Sequence, residues 1–262
     1  MKRLVAAIPL IVGCAAGQAN GPSAQDPVRQ AEAEYDLAKD LWLQRGQARE
    51  ALGHALKAVE LDEENGEAEH LVALLYLDFC ARSAQECRLP EAEKHARRAL
   101  SLRPNLREAR NTLGVILIHS KRPADAVALL RPLADDILYP TPEKAWGNLG
   151  WAYLELGQLD PAIDALRRSI AAQPLFCVGS YRLGLAYQRN GELQPALDAL
   201  TRALETEAPE CSQLQDALAA RAEVNARLGR SAEHQADLTR CVALSGSTTT
   251  GKNCRSMLEK LK

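Results

Sequence analysis

Aromatic residues are scarce in this chain of 262 residues: they make up 4 % of it, and only two are Phe. A core of stacked rings is therefore excluded, and Ala and Leu supply the apolar bulk within a 47 % hydrophobic composition. Both residues rank at the top of the helix scale. Charge of one sign is also missing, since the formal balance is −2. No Lys/Arg cluster marks a phosphate-binding face, so nucleic acid is not an expected partner. Long apolar runs are absent too. Leu4 to Val12 is the main one, and it is too short to cross a bilayer about 30 Å thick. The five His (54, 70, 95, 119 and 234) have no Cys or His at metal-ligand spacing, so they are expected at the surface or in a groove, with no metal or cofactor.

The N-terminus carries the pattern of export. Met1-Lys2-Arg3 is a short basic stretch, Leu4–Val12 is apolar, and Gly13 precedes Cys14. The pattern "IVGCAAG" resembles the bacterial lipobox. That resemblance implies a signal peptide over 1–13 and lipidation at Cys14, which would become the first mature residue. It also implies membrane attachment through the lipid, facing the periplasm. Ala15 and Ala16 follow the Cys with no Asp, which implies the outer membrane by the enteric sorting rule. Residues 14–30, small and polar with Gly21, Pro22 and Pro27, are expected to form a flexible tether.

The rest of the chain repeats. Leu149-Gly150 recurs as Leu183-Gly184, Tyr153 as Tyr187, Gly157 as Gly191, Ala162 as Ala196 and Leu166 as Leu200. Each offset is about one supersecondary unit of 34 residues. Gly150 and Ala162 are expected where two helices cross, Gly157 at the turn, and Pro161 and Pro195 in the first turn of a second helix. With Trp146 and Pro174, the pattern resembles the tetratricopeptide repeat. This implies an all-α, right-handed solenoid of about six helix-turn-helix units with a short C-terminal capping helix. The units run over 32–65, a second near 67–104 with the surplus "CARSAQECR", then 107–142, 143–174, 177–210 and a degenerate one near 215–246. The solenoid as a whole spans 31–246. Residues 247–262 are a linker and cap, with the closing helix expected from Asn253. The string Gly246–Asn253 nearly fits a phosphate-binding loop, but Asn253 replaces the hydroxyl, no strand precedes it, and a flexible linker is expected instead. No small-molecule substrate is expected.

Setting Cys14 aside leaves six Cys, an even set in an exported chain. Cys80 with Cys87 and Cys241 with Cys254 are the expected disulfides. Cys177 and Cys211 remain. They are taken to begin first helices of neighbouring units, too far apart to bond unless extra residues near 211–214 bring them together. Free buried thiols are the other arrangement of these six.

In the tetratricopeptide family the first helices line a concave groove. The resemblance puts Leu71, Leu75, Val115, Ile118, Trp151, Leu154, Val178, Tyr181 and Leu185 there, with Asn111 and Lys144 as polar exceptions. Such a groove would take an amphipathic helix or an apolar strand. The other arrangement has neighbouring repeats covering these side chains. A short lipoprotein built of such repeats resembles the type IV pilus pilotin family (PilF, PilW and Tgl), with the cysteine-bearing insert and C-terminal extension most like Tgl. The family implies a non-catalytic outer-membrane scaffold that binds secretin subunits and promotes their multimerisation. A generic envelope adaptor linking a peptidoglycan enzyme or protease to its partner shares every one of these sequence features.

Overall fold

The computed structural model describes residues 26–208, 211 and 213–261. Cys14 and the signal-like segment lie outside them. The described residues form thirteen α-helices and no strand. They pair as α1 (Pro27–Leu43) with α2 (Ala48–Leu61), α3 (Gly66–Arg82) with α4 (Leu89–Leu102), and α5 (Arg107–His119) with α6 (Pro123–Ala134). Then come α7 (Pro142–Glu155) with α8 (Leu159–Ala172), α9 (Cys177–Arg189) with α10 (Leu193–Glu205), and α11 (Gln215–Arg227) with α12 (Ser231–Leu244). Helix α13 (Thr249–Glu259) closes the array. Helix α1 starts at Pro27, capped by the Asp26 carboxylate accepting from the Val28 N–H at 3.1 Å, so residues 27–30 are helix and not tether.

Each helix packs on the next, and first helices also touch the first helices of neighbouring units: α3 with α5, α5 with α7, α7 with α9 and α9 with α11. The second helices are more widely spaced. That difference curves the solenoid, with the first helices on the inner face.

Small residues set the helix spacing. Ala92, Ala96, Ala126, Ala145, Ala152, Ala162 and Ala196 are fully buried at the crossings. An added Cβ at Gly150 would lie 2.5 Å from Leu166 Cγ and 3.2 Å from the Ala162 carbonyl. The same crossing recurs at Gly114 against Leu130 and at Gly184 against Leu200. Outside the second unit, whose insert joins its helices, the turns within units use a left-handed residue after the first helix. Gly46, Gly157, Gly191 and Gly229 supply it, whereas the third unit uses Lys121 at φ 59°. Neighbouring units are stapled outside the groove: Arg131 donates to the Tyr153 hydroxyl, and Arg167 Nε donates to Tyr187 Oη at 2.8 Å.

The sixth unit replaces the apolar lock by polar bonds. Arg221 pairs with Asp237 through Nε (2.9 Å) and Nη2 (2.6 Å), and Asn225 Nδ2 donates to the same carboxylate at 3.1 Å. Asp237 and Asn225 are buried. This explains how the unit tolerates losing its Leu-Gly and Tyr positions: the crossing is held by directional bonds rather than by close approach. His234 is also buried, bonded to the Ala222 carbonyl at 2.8 Å, and not at the surface.

Three disulfides join Cys80 to Cys87, Cys177 to Cys211 and Cys241 to Cys254, with Cα–Cα distances of 4.0, 5.8 and 6.3 Å. Cys177 opens α9, but Cys211 does not open α11, which begins at Gln215. The fifth unit has extra residues before α11, and this linker carries Cys211 back to α9. The closing helix begins at Thr249, four residues before the expected Asn253, so residues 249–253 of the near-miss phosphate loop are helical. Thr248 caps it by accepting from the Gly251 N–H at 2.9 Å. Gly251 is there because a Cβ would run into the Ser245 carbonyl. Gln215 Nε2 donates to the Cys241 and Ser245 carbonyls, both at 2.7 Å, which ties the end of α12 to α11.

Two substitutions separate close packing from turn chemistry. Gly150→Ala overpacks a crossing and is expected to lower unfolding free energy by about 1–3 kcal/mol. Lys121→Gly relieves a left-handed side-chain residue that costs roughly 1–2 kcal/mol, partly offset by added chain entropy, and is expected to be neutral to stabilising by up to about 1 kcal/mol. Urea unfolding followed by circular dichroism measures both, and equal signs would refute the assignment.

Candidate partner-binding groove

The inner face is a stripe at helical spacing on successive first helices. On α3 the partly exposed positions are His70 and Leu74; on α5 they are Asn111 and Val115, with His119 more open; on α7 Trp151, with Lys144 exposed; on α9 Val178, Tyr181, Arg182 and Leu185. Four residues expected there are core instead. Leu71 and Leu75 are 4 % and 0 % exposed, and Ile118 and Leu154 are 2 % and 1 %. Leu71 and Leu75 are one position away from the stripe, so they turn inward while His70 and Leu74 face out. Ile118 and Leu154 sit in the last turn of their helices, where the next first helix packs over them. Arg189 of α9 marks that overlap by donating to the Leu154 carbonyl at 3.0 Å.

Across the floor runs a polar ladder that joins one unit to the next. His70 Nε2 meets Thr112 Oγ1 at 2.9 Å, linking α3 to α5. Asn148 Nδ2 donates to Asn111 Oδ1 at 3.0 Å, linking α7 to α5. Arg182 Nη1 donates to Asn148 Oδ1 at 2.9 Å and to the Gly147 carbonyl at 3.2 Å, linking α9 to α7. Trp151 lies beside this ladder. The Arg182 guanidinium is stacked 4.4 Å from its ring centroid, and His119 meets it edge-on at 5.0 Å. Thr112, Asn148 and Arg182 occupy the same position in successive units, 36 and 34 residues apart. The apolar pattern did not reveal them, but reading that one polar position through the repeats would have.

Electrostatics in the groove are governed by burial. The Arg182 pKa is drawn down to about 10 by desolvation, so it stays charged at neutral pH. Burial raises the Tyr181 hydroxyl to about 12, keeping it a neutral donor. Burial also lowers His119, helped by the Arg182 charge. His70 is drawn down to about 4 by burial, against the opposing pull of Glu108 and Glu67. Among the described residues no group of three or more His, Cys, Asp or Glu is placed to hold a metal ion, and no helix is long and apolar enough to cross a membrane.

Two further surfaces stand apart from the groove. The 135–141 loop exposes Ile137 (95 %) and Leu138 (70 %) while anchoring itself through buried Tyr139. A cleft of about 740 Å³ between α10, α11 and α12 is lined by charges of both signs, including Arg202, Arg221, Asp198 and Glu233.

A family model described as tetratricopeptide repeat matches residues 143–174, and a second of the same description matches 180–207. This is a tetratricopeptide-repeat solenoid. Solved structures of the same fold extend that beyond the two matched units. The chain is similar to PilW, described as a widely conserved type IV pilus biogenesis factor, with TM-score 0.70 and 23 % identity over 85 % of this chain and 97 % of that one. It is similar to PilF of Pseudomonas aeruginosa, with TM-score 0.66 and 17 % identity over 88 % and 99 %. MamA of Desulfovibrio magneticus RS-1 matches less of it, with TM-score 0.55 and 21 % identity over 68 % and 95 %. No curated protein sequence matches the chain.

The repeats themselves imply binding to other proteins. The His70 shift generates a pH prediction. Between pH 6.5 and about 4 the unfolded chain binds a proton at His70 that the folded chain does not, so stability falls as pH falls through that window. His70→Gln, whose amide can keep the bond to Thr112, is expected to reduce the stability lost between pH 7 and pH 5 by up to about 2 kcal/mol. Urea titrations at both pH values check it, and an unchanged difference would remove His70 from the account.

Proposed function

We propose that this chain is a pilotin-type scaffold: an exported lipoprotein, anchored by Cys14 in the outer membrane and facing the periplasm, that binds secretin subunits and promotes their multimerisation for type IV pilus assembly. The observation that carries this reading is the extent of the solenoid. Its likeness to PilW takes in 97 % of that structure, so the whole array of units corresponds and not an isolated pair. The lipobox-like N-terminus adds the anchor, and the disulfides accord with an oxidising compartment.

No bond is made or broken in this role. Three acyl chains, as the lipoprotein resemblance implies, hold the solenoid at the membrane, since each buried CH₂ contributes about 0.8 kcal/mol. The groove takes an apolar segment of an unassembled subunit. Tethering then raises the local concentration of subunits where the pore forms and shields their adhesive surface.

Deleting the gene is expected to abolish heat-resistant secretin multimers on a denaturing gel, with the subunit left as monomer. Complementation with Cys14→Ala should not restore them. Trp151→Ala combined with Leu185→Asp should weaken secretin-subunit binding at least about 30-fold, the loss of a buried anchor plus an unpaired charge, without changing helical content. Normal multimers in the deletion strain would sink the pilotin reading.

A further inference from the structure

Exposed apolar side chains gather at one edge of the solenoid. Each unit is an antiparallel pair of helices with a short connection, so every junction between units lies at the edge where first helices begin. The start of α1 is at that edge too, and the turns within units occupy the opposite one. Ile137 and Leu138, in the junction between α6 and α7, are the most exposed large apolar side chains among the described residues. Leu175 is exposed in the next junction, between α8 and α9, and Val28 in the first turn of α1. Leu43, as exposed as Leu175, ends α1 at the opposite edge. The Ile137-Leu138 tip is braced. The Asp136 carboxylate accepts from Arg107 and from the Leu138 N–H, the Tyr139 N–H donates to the Asp136 carbonyl at 3.0 Å, and the Tyr139 side chain is buried. Little ordering entropy therefore remains to be lost when the tip binds, and the carboxylate next to it is already paired. A tip exposed this far is a protrusion and not a pocket. A protein must offer it a matching cavity, whereas a bilayer interface accepts it without one.

We propose that this edge faces the membrane holding the Cys14 lipid, and that the Ile137-Leu138 tip inserts into the bilayer interface as a second point of attachment. The proposal rests on the lipoprotein reading of Cys14. Residues 14–25 join the lipid to the start of α1 and span at most about 40 Å. Three units separate the start of α1 from the tip, roughly 30 Å at a helix spacing of about 10 Å. Lipid and tip can therefore reach one surface together. The 62–65 junction between them exposes Glu63 and Glu64, so the contact is local to the tip and the tether covers the remaining span. A single anchor leaves the solenoid free to turn about its tether. Two attachments fix the edge that meets the bilayer, and they lay the groove along the membrane surface with its open side towards neighbouring proteins.

The test uses the lipidated mature chain on vesicles of phosphatidylethanolamine and phosphatidylglycerol. Ile137→Trp is compared with Leu43→Trp, which places the same reporter at the opposite edge. The emission that Ile137→Trp adds to that of the unsubstituted chain should shift to the blue on vesicles. Lipids brominated near the headgroup should quench it, as for a side chain about 5–10 Å into the interface. Leu43→Trp should show neither effect. Leu138→Trp supplies a second reading of the tip, and circular dichroism checks that each variant is folded. A chain that floats with the vesicles while both tip variants behave as Leu43→Trp does would overturn the tip contact and leave the anchor standing. A mature chain that carries no acyl mass and does not float would overturn the anchor and the tip contact together. Tip emission that shifts only when a secretin subunit is added would assign the tip to a protein and overturn the membrane contact.

Discussion

The close crossing of paired helices at Gly150, Gly184 and Gly114 is the constraint on which the remaining structure depends. Each glycine faces a buried leucine of the partner helix, and each lets two backbones approach to where the Leu166, Leu200 or Leu130 side chain fills the gap. Once that spacing is set, the unit is a rigid wedge with a first helix, a left-handed turn and a second helix. Stacking such wedges gives the curvature, since first helices touch neighbouring first helices and second helices stand further apart. The low aromatic content follows from the same geometry. Crossings lined by Ala leave no room for rings, and the aromatics are displaced to the seams between units and to the inner face, where Tyr153, Tyr187 and Trp151 stand.

Disulfides occur where this wedge geometry is interrupted. Cys80–Cys87 closes the insert that lengthens α3, Cys177–Cys211 reins in the long linker before α11, and Cys241–Cys254 fastens the cap. In the chain-entropy picture the stabilisation grows with the loop closed, from about 2 kcal/mol for the shortest to about 4 kcal/mol for the longest. The strongest staple is therefore at the irregular junction between the fifth and sixth units. The sixth unit needs it, because its own crossing is held by the Arg221–Asp237 pair, and a buried ion pair is a weaker source of net stability than close apolar packing.

The repeat was legible in the sequence because its signal is volume. Gly, Ala and Leu recur at fixed offsets for a steric reason that every unit shares, so Leu149-Gly150 and Leu183-Gly184 announce the fold without any structure. The groove was legible only in part, because exposure depends on what the next unit covers. Ile118 and Leu154 have the right period and are buried all the same. Leu71 and Leu75 were displaced by one position, the usual error when an insert blurs the alignment of a unit, and a single step on a helix turns a side chain by about 100°. Cys211 misled for the same kind of reason: its 34-residue offset from Cys177 mimics a repeat position, while the true start of α11 is Gln215, four positions further on.

Polar residues in the floor carry information of another kind. Thr112, Asn148 and Arg182 fill one position of three successive units, and their roles rise from hydroxyl to amide to cation along the groove. Each bonds to the inner face of a neighbouring unit, which makes the groove a single surface rather than a row of separate helix faces. A surface of that kind would bind an occupant by register. An occupant that places its apolar side chains over Val115, Trp151 and Leu185 must place something over Arg182 as well, and an apolar group there would bury the guanidinium edge without a partner, at a cost of about 1–3 kcal/mol or more. A groove of this kind would discriminate by penalty as much as by attraction.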